Sequence, residues 1–156
     1  MSNCSKHLRY RSGGELHRDF HWSTCVGIHY LLENYGEEAL REVLHETAVG
    51  VYRQMHEKLC AGDPSELLEF WRYYFGREGG EWSLEETADG GAVLTVSGCP
   101  ALRHLQKLGV EVDPVLCKAT EILNNELVSG SPFSIETRVT GAFSCVQTLK
   151  RSGGAK

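Results

Sequence analysis

The chain has no apolar run approaching the ~20 residues of a membrane-spanning helix. Its opening stretch, Met1 to Arg11, lacks the apolar centre of a secretory signal. Both absences point to a cytoplasmic protein that does not act at a membrane. Positive charge is also short: 16 Lys and Arg stand against 21 Asp and Glu, a net charge of −5, which argues against a general nucleic-acid binder. The six cysteines, Cys4, Cys25, Cys60, Cys99, Cys117 and Cys145, include no C-x-x-C pair, so a zinc ribbon is not expected. Their even number would suit disulfides, but a reducing cytosol disfavours them. Internal repeats and low-complexity tracts are missing as well. What is present is ordinary for a globular domain: 41% hydrophobic and 24% charged residues in 156, enough for one core.

Punctuation by glycine and proline divides the chain. Residues 1–13 read as a flexible polar arm, 14–151 as a single domain, and 152–156 as a flexible tail. A first helix is predicted from about Glu15 to Tyr35, stopped by Gly36. A second starts at Glu37 and carries Leu40, Val43, Leu44, Val51, Met55 and Leu59 at helical spacing up to Ala61-Gly62. Asp63-Pro64-Ser65-Glu66 is a restart signal, with Asp as cap and Pro at the first position. The third helix then runs to Gly79-Gly80. From Trp82 the period changes to two, and Asp89-Gly90-Gly91 turns the chain back into Ala92–Ser97, a hairpin. Cys99-Pro100 and Asp113-Pro114 each open a short helix, stopped by Gly109 and Gly130. A second hairpin follows, Phe133–Thr140 and Phe143–Lys150, turned at Gly141-Ala142. The predicted fold is α+β: N-terminal helices packed on a four-stranded antiparallel sheet made of two hairpins, with two short helices between them.

Within the first helix, His17, His21, Cys25 and His29 recur at every fourth position. Residues four apart lie one turn apart on one helix face, and two imidazoles in that register can converge on a metal ion. A helical wheel puts His17 and His21 in the apolar arc, Cys25 at its edge and His29 toward solvent. His17, His21 and Cys25 are therefore the candidate ligands of a divalent transition metal such as zinc or iron. The competing reading, of equal weight, is a pair of core histidines hydrogen-bonded to backbone or carboxylate. His45 and His56 share a face of the second helix and read as solvent-edge residues.

Cys99 stands at a helix N-cap, where exposed N–H groups and the helix dipole favour the thiolate, and Cys117 lies in the first turn of the next helix. Cys145 shares a strand face with Phe143 and Leu149, and its plainer reading is a small buried apolar residue; for Cys99 an inert N-cap neighbour is a reading of equal weight. Cys4 and Cys60 read as incidental.

The stretch Cys99-Pro-Ala-Leu, Asp113-Pro-Val-Leu-Cys117, Phe133-Ser-Ile and Gly141-Ala-Phe-Ser-Cys145 resembles the C-terminal half of the L-2-amino-thiazoline-4-carboxylic acid hydrolase-like family. Asn34-Tyr-Gly-Glu-Glu-Ala-Leu40 resembles a helix junction of the same family. The resemblance implies a hydrolase that opens a C–N bond of a small heterocyclic or amide-like substrate. Either Cys99 or Cys117 would be its nucleophile with His21 as base, or a His17/His21 metal would activate water; the cysteines carry the resemblance, and the His17/His21/Cys25 helix is this chain's own feature. Arg138 could hold a substrate carboxylate bidentately beside Cys145; its plainer reading is a solvated strand charge. The alternative function is a non-catalytic small-ligand or metal-binding sensor module, for which vinyl-reductase-like sensor domains offer a distant analogy. The aromatic cluster Trp71, Tyr73, Tyr74 and Phe75 covers more than one face of a short helix, which raises a homodimer as a further expectation beside either function.

Overall fold

A computed structural model describes residues 20–110 and 114–152. The N-terminal arm, His17 and Asp113 lie outside the described residues, as does the tail beyond Ser152. The described chain contains helix α1 (Phe20–Glu46), a wide π-helical turn (Thr47–Val51), α2 (Arg53–Cys60) and α3 (Ser65–Arg77). Strands β1 (Glu81–Glu86) and β2 (Ala92–Gly98), helices α4 (Pro100–Lys107) and α5 (Val115–Val128), and strands β3 (Phe133–Gly141) and β4 (Ser144–Arg151) follow.

Most boundaries sit where local chemistry puts them. Gly36 interrupts α1 with φ +82°, ψ −179°, a conformation open to glycine and costly for residues with a Cβ. Asp63 caps α3 by accepting a 2.9 Å hydrogen bond from the Ser65 amide, and Pro100 occupies the first turn of α4. The expected second helix is not continuous. After Glu46 it widens into the Thr47–Val51 turn, which offsets the register and brings Thr47, Val51 and Tyr52 to the wall of an internal cavity.

The sheet is antiparallel throughout, in the order β1-β2-β4-β3. The two hairpins therefore join through their second strands, β2 against β4. One face carries rows of side chains across the strands, such as Leu84–Leu94–Gln147–Thr137 and Trp82–Val96–Cys145–Val139, buried at the centre and opening to solvent at Val139. The other face carries Ser83, Thr95, Glu136, Arg138 and Lys150 and meets solvent except for the covering half of a few residues such as Thr148. This inner-apolar, outer-polar alternation is what a sheet covered on one side requires.

Helices α2, α3 and the C-terminal half of α5 pack on the inner face around Leu59, Leu67, Trp71, Leu94, Leu127 and Leu149. A second cluster joins α1, α4 and the N-terminal half of α5 through Cys25, Ile28, Leu40, Leu105 and Ile122. Cys99 touches both clusters. The aromatic side chains of α3 largely find cover inside the chain. Trp71 and Phe75 are buried, and Tyr74 stacks on Phe70 at 5.9 Å. Tyr73 is half-buried beneath the Arg77 guanidinium. Among the described residues no helix is long and apolar enough to cross a membrane.

Candidate ligand-binding site

Between the helices and the inner sheet face lies a cavity of about 410 Å³. This falls within the ~300–1,000 Å³ of typical small-molecule sites. Aromatic side chains make much of its wall: Tyr52, Phe70, Trp71, Tyr74 and Phe75. Tyr52 meets Phe70 edge-to-face at 5.6 Å, and Tyr74 meets Phe75 the same way at 5.0 Å, so the rings brace one another. Helix α5 supplies Leu116, Thr120, Leu123 and Leu127, a stripe at helical spacing.

Four of the residues predicted to carry chemistry line this one cavity: His21, Cys99, Cys117 and Cys145. They come from α1, the β2–α4 junction, α5 and β4. Cys99 is fixed by its own backbone, whose amide donates a 2.7 Å hydrogen bond to the Phe143 carbonyl between β3 and β4. The α4 helix behind it is clamped to β1 by Arg103, which donates to Glu81 Oε1 at 2.7 Å and Oε2 at 3.0 Å. Gly98 leaves room for that guanidinium, since a Cβ there would meet it at 2.5 Å.

The electrostatics of the three thiols run against the expectation of activated thiolates. At Cys99 the amides of Leu102 and Ala101 and the charge of Arg103 do favour the anion, as the N-cap position predicts. Burial outweighs them and leaves the thiol above its ordinary range. Cys117 is pushed up to about 11, first by burial and then by Cys99 and Cys145. Burial also raises Cys145, against a weak contact from the Gln147 amide. All three are neutral thiols near pH 7.

His21 is 3% exposed. Its Nε2 lies 3.3 Å from Glu78 Oε2, whose side chain is also buried, and its ring centre lies 5.9 Å from that of His104. Burial, and then His104, lower its pKa to about 4, so the imidazole is neutral at physiological pH. The carboxylate pulls the other way; desolvation of a charge in so dry a place is the larger effect.

Of the expected metal ligands His17, His21 and Cys25, only His21 lies on the cavity wall among the described residues. His17 lies outside the described residues, and Cys25, 3% exposed, is packed in the second apolar cluster rather than on the cavity wall. Among the described residues no group of three or more His, Cys, Asp or Glu is gathered so as to hold a metal ion. Arg138 is exposed on the outer sheet face, opposite in register to Val146, so it cannot meet a substrate carboxylate inside the cavity. Cys145 points inward from the neighbouring strand, and the two do not form one subsite. Elsewhere, His45 meets Glu126 at 2.9 Å at the surface and His56 meets the Leu127 carbonyl at 2.9 Å, which gives both a structural partner.

Two cavity residues escaped the sequence reading. Asn124 of α5 and Gln147 of β4 are 5% and 4% exposed. Asn124 Nδ2 donates to Gln147 Oε1 at 2.7 Å and to Thr137 Oγ1 at 3.0 Å. This small polar cluster interrupts an otherwise apolar floor. The signal was available: Gln147 alternates with Cys145 and Leu149 on the inward strand face, and Asn124 follows Thr120 by one helical turn. Among the described lining residues none is Asp, Glu, Lys or Arg.

The chain matches no protein-family model, no curated protein and no solved structure.

Proposed function

We propose that this chain is a binding module for a small, uncharged, largely apolar organic molecule held in the cavity between helices and sheet. The observation that carries the reading is the lining itself: braced aromatic rings and aliphatic side chains, with polar groups only at a few points and no charged side chain among the described ones. Such a site rewards burial of apolar surface at roughly 25 cal/mol per Å² and penalises an unpaired charge. The anionic substrate suggested by the family resemblance suits this lining poorly, because no Lys or Arg is among the described lining residues and His21 is neutral.

A hydrolase-like enzyme with a Cys99 or Cys117 nucleophile is the second reading. One observation favours it: His21 and the thiols border the same space. It requires a thiolate that burial opposes and a base that His21, with a pKa of about 4, supplies weakly.

The test is titration of the purified protein with naphthalene, followed by calorimetry. Saturable binding of one equivalent is expected. Thr120→Trp, which fills the cavity from α5, should abolish it while the circular dichroism spectrum stays unchanged. Failure of the wild-type protein to bind this or any comparable planar probe would overturn the reading.

A further inference from the structure

Glutamine and asparagine facing each other at the floor of an apolar cavity are a costly choice, since a buried amide needs its hydrogen bonds made. The surrounding inward positions of the sheet are apolar: Leu94, Val96, Ile135 and Leu149. An apolar pair at 124 and 147 would pack there without polar cost.

The donors and acceptors can be followed atom by atom. A side-chain amide has two N–H donors and one carbonyl oxygen with two lone pairs. Both protons of Asn124 Nδ2 are engaged, by Gln147 Oε1 and Thr137 Oγ1. That leaves the Asn124 carbonyl oxygen as an acceptor. Gln147 Nε2 keeps its donors, with only the Cys145 sulfur, 3.9 Å away, as a weak partner. The bond between the two side chains locks them in one arrangement. One free acceptor and one free donor thus stand on adjoining, nine-tenths buried residues that both line the cavity. The same cavity has aromatic walls, with Phe70 and Tyr74 stacked at an interplanar angle of 23°.

We infer that Asn124 and Gln147 form a recognition edge for an uncharged planar ring carrying an amide-like edge, an N–H donor beside a carbonyl acceptor, as in a cyclic amide. The ligand N–H donates to Asn124 Oδ1, and the ligand carbonyl accepts from Gln147 Nε2. Thr137 holds Asn124 in place. The absence of charged side chains among the described lining residues selects the neutral lactam over a carboxylate of the same shape. This inference rests on the cavity being a ligand site, and adds what the ligand must carry.

The experiment compares matched probes on the wild-type protein by calorimetry: 2-quinolone, its N-methyl derivative, naphthalene and quinoline-2-carboxylate. Two neutral hydrogen bonds correspond to roughly thirtyfold tighter binding of 2-quinolone than of naphthalene. The N-methyl derivative, which lacks the donor, should lose most of that advantage, and the carboxylate should bind weakest. In Asn124→Leu, the advantage of 2-quinolone over naphthalene, both measured on that variant, should disappear. The wild-type comparison does not depend on that variant folding. Equal affinity of naphthalene and 2-quinolone would overturn the recognition edge and leave the cavity reading standing. Binding of none of the four would overturn both.

Discussion

His21 offers a quantitative test of how dry the cavity rim is. Its folded pKa of about 4 lies below the ordinary 6.5, so between those values the unfolded chain binds a proton that the folded chain refuses. The stabilisation this represents is complete above pH 6.5 and is lost as pH falls toward 4. Proton linkage puts the loss at about 2 kcal/mol between pH 7 and pH 5, and about 3 kcal/mol by pH 4. Other groups titrate in this range, so the quantity to measure is the difference between wild type and His21→Gln, which cannot take up a proton. Urea unfolding of both proteins at pH 7, 6 and 5 gives it directly. At an m-value of about 2 kcal/mol/M the wild-type midpoint should drop by about 1 M more than that of the variant from pH 7 to pH 5. The opposite result is informative. If wild type gained on the variant as pH fell, His21 would be charging to pair with Glu78, and the dominance of desolvation over that 3.3 Å contact would be refuted.

Four further outcomes are expected. With iodoacetamide at pH 7.5, peptide mass spectrometry should find exposed Cys60 alkylated well before Cys99, Cys117 or Cys145, all buried enough to keep their thiols protonated. Leu94→Ala, at a fully buried position of the central strand pair, should cost about 2–5 kcal/mol by urea unfolding. Gly91→Ala should cost about 2 kcal/mol, because the new Cβ would meet the Leu149 carbonyl at 2.5 Å. Gly50→Ala meets nothing within 4 Å and should be neutral or stabilising by up to about 1 kcal/mol; thermal unfolding separates the two.

The parts of the fold that were legible in the sequence are those set by a few neighbouring residues. Pro64, Pro100 and the turn at Asp89-Gly90-Gly91 act through their own backbone preferences, and elements begin or end beside them, while Gly36 kinks α1 within its span. The two hairpins were readable for the same reason. The π-helical turn at Thr47–Val51 was not, because the apolar spacing around Val43, Leu44, Val51 and Met55 fits an unbroken helix, and only packing reveals the offset. Strand order was underdetermined: hairpin turns specify β1 with β2 and β3 with β4, while the β2–β4 seam depends on distant side chains meeting.

The site divides along the same line. The helical wheel turned His21 inward correctly, yet it could not tell a cavity wall from an apolar cluster, and Cys25 went to the latter. The N-cap argument for Cys99 found real contributions from the Ala101 and Leu102 amides but not their size relative to burial, which is a property of the whole fold. Asn124 and Gln147 stand 23 residues apart, and nothing local announces that they touch.

The seam between β2 and β4 also has a consequence for how the protein is made. On the ribosome, the β1–β2 hairpin is complete many residues before Ser144–Arg151 emerges. At roughly 5–20 residues per second, the chain spends several seconds with the Ala92–Gly98 edge unpaired. That edge presents Ala92, Leu94 and Val96 on one face and a row of open backbone groups along its side, a template for strands of other chains. Slow decoding of the codons for α4 and α5 would lengthen this interval. Yield on expression should therefore respond to translation speed between residues 99 and 144 more than to changes upstream of residue 80.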